Sequence, residues 1–217
     1  MLYRGGIGFF SYLRKIFLLL IFPLACAIIF LGEFETFLTQ HRDMQKNKTK
    51  GKLNMKNNKG VLFIARAGLI GALYAVLSYI SAPLTFFGFQ FRLSEAMTVL
   101  PVFFPEAILG LFVGCIVSNT ITGAVFFDIL FGSLATLIGA LIAYLMRKLP
   151  QGLLWLATVP AIISNTLIIP PVLVAFYGST ESYAFLTLTV FVGEAVTAGG
   201  LGTLLLYQLK RVFKIAR

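Results

Sequence analysis

Charge is scarce in this chain: 12% of its 217 residues are Asp, Glu, Lys or Arg, and histidine occurs once, as His41. Cysteine occurs twice, as Cys26 and Cys115, each inside an apolar stretch, so neither a disulfide framework nor a metal-ligand spacing is present and both thiols read as inert. The sequence contains no G-x-x-x-x-G-K-[ST] phosphate loop and no H-E-x-x-H. The chain is therefore expected to hydrolyse no ATP itself, to hold no metal or cofactor, and to be no enzyme. An intramembrane enzyme built from it would have to work with Glu and Asp alone.

Apolar residues make up 59% of the chain, far above a soluble domain, so lipid must be its solvent. The 18 Lys and Arg against 8 Asp and Glu crowd into hydrophilic stretches between apolar runs, a pattern that orients membrane spans and argues against a nucleic-acid partner. Residues 16–32 form an apolar run behind Arg14 and Lys15, with Ala25, Cys26 and Ala27 resembling a signal-peptidase site. Cleavage there would leave the basic tract 42–59 outside, against the charge rule. That tract is Lys- and Asn-rich and contains a second methionine, Met55. Residues 1–54 are thus open to three readings, an upstream mis-called start, an extra span or an anchor, and 55–217 is expected to be the membrane domain.

From Val61 on, turn signals and charges divide the chain into six apolar segments. The expected helices cover about 61–80, 92–104 (short), 105–121, 125–148, 153–177 and 182–210, with an aromatic loop at 81–91 and a turn at Gly123. Pro105 suits the first turn of the third helix. Placing the Lys-rich tract in the cytoplasm also puts Arg147, Lys148, Lys210, Arg211, Lys214 and Arg217 there, leaves Arg92 outside, and makes both termini cytoplasmic. The expected fold is an all-α, six-helix bundle, multi-pass in the cell membrane.

Polar side chains inside spans are costly and mark function by default. Arg92 and Glu95 fall at the outer end of the second helix, Asn119 near the outer end of the third and Asp128 in the first turn of the fourth, while Glu194 and Asn165 lie mid-membrane. Each has a plainer alternative. Arg92 and Glu95 have the spacing to pair with each other, Asp128 and Glu106 to complement helix dipoles, Asn119 to serve a helix end, and Asn165 to bond a neighbouring helix. Glu194 has no nearby cation in its own helix, which favours a functional role. Two stripes of small residues, Ala67, Gly71 and Ala75, and Ala135, Gly139 and Ala143, permit close helix approach, either within the bundle or against another subunit.

Two motifs point to a family. They are Phe91-Arg92-Leu93-Ser94-Glu95-Ala96-Met97-Thr98-Val99-Leu100-Pro101, followed by Phe103-Phe104-Pro105 and Gly110-Leu111-Phe112-Val113-Gly114-Cys115, and Phe127-Asp128-Ile129-Leu130-Phe131-Gly132-Ser133-Leu134-Ala135. On them, residues 55–217 resemble the QueT family, S components of energy-coupling factor (ECF) transporters associated with uptake of queuosine precursors. The resemblance implies six helices and an outward-facing pocket under the first loop. It also implies a shared membrane T subunit and two ATPase subunits as partners, which use the ATP. Its usual Ala-x-x-x-Ala contact on the first helix would here be Ala67-x-x-x-Gly71. The implied cargo is a 7-deazaguanine bearing an aminomethyl group, for which Glu194, Glu95 and Asp128 offer acceptors, Asn119 and Asn165 amides, and Phe86, Phe87 and Phe89 stacking faces. An S component for another vitamin or nucleobase would share everything but the pocket, and a structural membrane subunit would need no ligand at all.

Overall fold

The computed structural model describes residues 56–82, 91–178 and 181–213. The expectations for residues 1–54, and for Phe86, Phe87 and Phe89, lie outside these. Among the described residues all regular structure is helical: α1 (Lys56–Ser81), a long 3-10 helix (Leu93–Val102), α2 (Ala107–Ile121), α3 (Phe126–Leu145), α4 (Val159–Tyr177), α5 (Tyr183–Glu194), a π-helical segment (Ala195–Leu201) and α6 (Gly202–Phe213). Short 3-10 turns, Met146–Lys148 and Leu154–Thr158, extend α3 and precede α4.

The exterior is apolar. Phe126 is 69% and Leu167 65% exposed, and Ile64, Val76, Ile163, Leu188, Val196 and Leu204 stand out with them. Glu95, Glu106, Asn119, Asp128, Asn165 and Glu194 are buried instead. Polar inside and apolar outside is the arrangement that lipid demands. Four helical stretches, Gly60–Ser81, Phe126–Lys148, Leu154–Tyr177 and Tyr183–Arg211, are long and apolar enough to cross a membrane.

The second expected helix differs in kind. Over residues 92–104 the regular structure is a ten-residue 3-10 helix, Leu93–Val102, with Pro101 inside it. At a rise near 2.0 Å it is about 20 Å long, against the roughly 30 Å hydrocarbon core. Pro101 has no N–H to donate and its ring crowds the preceding turn, which weakens α-helical pairing there. Leu93 to Pro101 are buried on every side, so the element lies inside the bundle rather than against lipid. α2 starts two residues later than expected, with Glu106 as N-cap and Pro105 in the preceding turn. The last helix is interrupted by the π segment immediately after Glu194.

Glycines set the closest contact in the bundle. A Cβ on Gly71 would lie 2.9 Å from the Gly110 carbonyl oxygen, one on Gly110 2.6 Å from that of Ala67, and one on Gly114 2.7 Å from that of Gly71. The Ala67 and Gly71 side of α1 is thus packed on α2, with Ala75 half-buried above it. Gly139 likewise meets the Ala161 backbone of α4, and Ala135 and Ala143 are buried with it. Both small-residue stripes serve packing within the bundle.

Candidate functional site

The site is built where helix ends bring polar side chains to one end of the bundle and then continue inward. α3 begins at Phe126 with Asp128 in its first turn, and α4 ends at Tyr177, where Gly178 takes a left-handed φ of 60° and closes the helix. A stacked ring pair, Phe127 on Phe176 with centroids 3.9 Å apart, holds these two ends together. Tyr177 consequently reaches across: its hydroxyl donates to Asp128 Oδ2 at 3.0 Å and accepts from the Val125 N–H at 3.2 Å. Arg92, just ahead of the long 3-10 helix, places Nη2 3.8 Å from the same Asp128 oxygen. The Asn119 amide nitrogen stands 3.5 Å from Cys115 Sγ. Gly132 leaves space here, since a Cβ on it would sit 3.2 Å from Asn119 Nδ2 and 3.8 Å from Arg92 Nη1.

Deeper in, two turns along α3 and about 12 Å at 1.5 Å per residue, Thr136 faces Glu95. The Tyr74 hydroxyl of α1 donates to Glu95 Oε1 at 2.5 Å. The Thr136 hydroxyl, which donates to the Gly132 carbonyl at 3.1 Å, stands 3.5 Å from that carboxylate oxygen and 3.6 Å from Cys115 Sγ. Beyond it, Asn165 Nδ2 of α4 donates to Glu194 Oε1 at 2.9 Å. The start of the 3-10 helix is tied to the end of α1, where Ser78 donates to Ser94 at 2.7 Å and the Leu93 N–H reaches Ser81 Oγ at 3.4 Å.

One pattern unites the three carboxylates. In each, one oxygen is hydrogen-bonded, and the other, Glu95 Oε2, Asp128 Oδ1 or Glu194 Oε2, is buried without a hydrogen-bond partner among the described residues. Buried acceptors left bare are costly, by about 1–3 kcal/mol each and more for a charged group. Three of them around one cluster describe a surface complementary to a ligand rich in donors.

Arg92, Glu95, Asn119, Asp128, Asn165 and Glu194 therefore belong to one connected set. Two pairings differ from the simpler sequence expectations. Arg92 bridges to Asp128 on α3 rather than to Glu95, because Arg92 precedes the 3-10 helix in extended backbone, out of helical register with Glu95, and Asp128 consequently does more than face its own helix dipole. Glu106 makes no side-chain cap; it accepts from Arg66 Nη1 at 2.9 Å, joining α1 to the start of α2 away from this cluster. Sequence reasoning missed Tyr74, Tyr177 and Thr136. Tyr74 is 1% exposed on an apolar helix, and no local pattern distinguishes such a tyrosine from core. Cys115, read as inert, sits at the cluster between Asn119 and Thr136.

A bundle of apolar-faced helices around a buried, half-satisfied polar cluster is the arrangement of an integral membrane protein. A model of the QueT transporter family matches residues 64–211, and the chain belongs to that family. It is a transporter family, not an enzyme family. No curated protein and no solved structure matches the chain.

Proposed function

We propose that this protein is the substrate-binding S component of an ECF transporter, and that its cargo is a queuosine precursor of the 7-aminomethyl-7-deazaguanine type. Partners would be a membrane T subunit and two ATPase subunits, which consume the ATP. Family membership supports the transport role. The observation that carries the ligand is the set of bare oxygens on Glu95, Asp128 and Glu194. Three acids against the single guanidinium of Arg92 suit a ligand with several N–H donors and a positive charge, and the Asn119 and Asn165 amides suit its carbonyl. The loop aromatics Phe86, Phe87 and Phe89 would stack on the ring.

The basic ends support an outward-opening site. Lys210 Nζ donates to the Gln151 carbonyl at 2.9 Å, so the cluster Lys210 and Arg211 meets the turn carrying Arg147 and Lys148 at one end of the bundle. By the positive-inside rule that end is cytoplasmic and Arg92 is outside. The short 3-10 helix and α2 then complete six membrane segments, since an element shielded by protein need not match the bilayer thickness. For the T subunit, the Ala67 and Gly71 side of α1 is already spent on α2. We place that contact on the exposed register Ala65, Gly68 and Ala72, where a Cβ on Gly68 would meet nothing within 4 Å.

Mass spectrometry of small molecules retained by the detergent-purified protein tests this reading. A 7-deazaguanine is expected. A different vitamin or base would keep the S-component role and change the cargo, and an empty protein that also fails to bind added precursor would leave a structural subunit.

A further inference from the structure

The deepest part of the cluster contains two buried carboxylates. Glu95 is 1% and Glu194 4% exposed, and Glu194 accepts from the Asn165 amide. The groups facing the pair are Tyr74 from α1, Arg92 ahead of the 3-10 helix, Cys115 from α2, Thr136 from α3 and Asn165 from α4. Arg92 is the cation among these, and its guanidinium stands at Asp128, one carboxylate away. Among the described residues no cation contacts either carboxylate, and two buried carboxylates so placed cannot both stay ionised, because each loses its hydration and each repels the other in a low-dielectric surrounding.

We propose that the Glu95 and Glu194 pair carries one proton when the site is empty and exchanges it for the cationic group of the ligand. This inference rests on the reading of the cluster as the ligand site. On binding, one carboxyl O–H bond breaks and the proton leaves to water. The N–H groups of an ammonium then bond the two bare oxygens, Glu95 Oε2 and Glu194 Oε2, so the net charge of the filled pocket equals that of the empty one. A neutral ligand of the same shape cannot release the proton. The pair would thus select cations over neutral analogues, and increasingly so as pH rises.

The sign follows from linkage. The empty pair binds a proton and the filled pair does not, so raising pH favours the filled state. Affinity rises about tenfold per pH unit while the empty pair remains protonated and the ligand amine remains charged, and levels off once the empty pair ionises. Calorimetric titration of the purified protein with 7-aminomethyl-7-deazaguanine, in buffers of different ionisation enthalpy, is expected to show about one proton released per ligand. The same base carrying a neutral nitrile should bind more weakly, with no release and a flat pH profile. E194Q removes one carboxylate and one bare oxygen of the pair, so this variant should bind the aminomethyl base weakly. D128N should bind weakly yet still release the proton. Binding of the aminomethyl base without proton release, at an affinity flat in pH, overturns the inference and leaves the transport reading standing. Release abolished by D128N would also overturn it, by placing the proton on the wrong carboxylate. No binding of either base overturns both readings. If E194Q fails to fold, the native protein alone decides through its proton count.

Discussion

At the scale of single residues, the site is defined by what each carboxylate lacks. Glu194 gives one oxygen to Asn165 and keeps one bare. Gln at that position preserves the shape but offers the ligand an N–H where an acceptor is needed, or turns that N–H toward the Asn165 donor. E194Q is therefore expected to fold normally and to bind the precursor about 10- to 100-fold more weakly, equivalent to about 1.4–2.8 kcal/mol, by ligand titration. The sequence alone, placing Glu95 at the water-exposed outer end, would give it a milder loss. Its near-complete burial predicts instead that E95Q costs as much as E194Q. Y74F keeps the ring and deletes the hydroxyl that fixes Glu95 Oε1. Losing one such bond predicts roughly 0.5–1.5 kcal/mol of binding, about 2- to 13-fold, with a lowered melting temperature of the unliganded protein because Glu95 Oε1 loses its buried donor. A variant that binds normally would show that Tyr74 does not position Glu95.

At the scale of elements, α1 and α2 meet backbone to backbone, and this contact sets the position of Tyr74. A Cβ on Gly114 would sit 2.7 Å from the Gly71 carbonyl and 3.0 Å from Tyr74 Cβ. G114A is thus expected to separate the two helices, costing about 1–3 kcal/mol of stability as overpacking does, and to weaken binding by displacing Tyr74 from Glu95. The checks are a thermal melt in detergent and a ligand titration. G68A, on the exposed side of the same helix, should leave the melt and ligand affinity unchanged. Two of the elements that depart from the α-helix, the 3-10 helix carrying Glu95 and the π segment following Glu194, adjoin the site.

At the scale of the whole molecule, the proposed transporter is incomplete by itself. No phosphate loop is present in its sequence, so the purified chain in sealed vesicles is expected to bind precursor and to accumulate none, with or without ATP inside. Net uptake against a gradient by this chain alone, measured with radiolabelled precursor, would sink the S-component reading. The basic ends make a second expectation: single cysteines at Gln151 and Gln208 should be labelled only from the cytoplasmic side, and one at Thr122 only from outside.

The lipid environment, the helical class and the family followed from the sequence, because hydropathy, charge placement and the Phe91–Pro101 and Phe127–Ala135 runs are local properties of the chain. The identity of the polar set was legible for the same reason: Arg92, Glu95, Asn119, Asp128, Asn165 and Glu194 stand out against apolar neighbours. Their pairing was not. Arg92 with Asp128, Tyr74 with Glu95, Tyr177 with Asp128 and Arg66 with Glu106 join residues 21 to 49 positions apart, and no periodicity within one helix encodes such contacts. The 3-10 form of the second segment was not legible for a related reason. Hydropathy measures how apolar a stretch is, whereas burial of Leu93 to Pro101 among other helices, not in lipid, is what permits a short 3-10 helix there. Which side of α1 packs on α2 was likewise decided only by the tertiary structure, since Gly68 and Gly71 look alike in sequence and differ by one helical face.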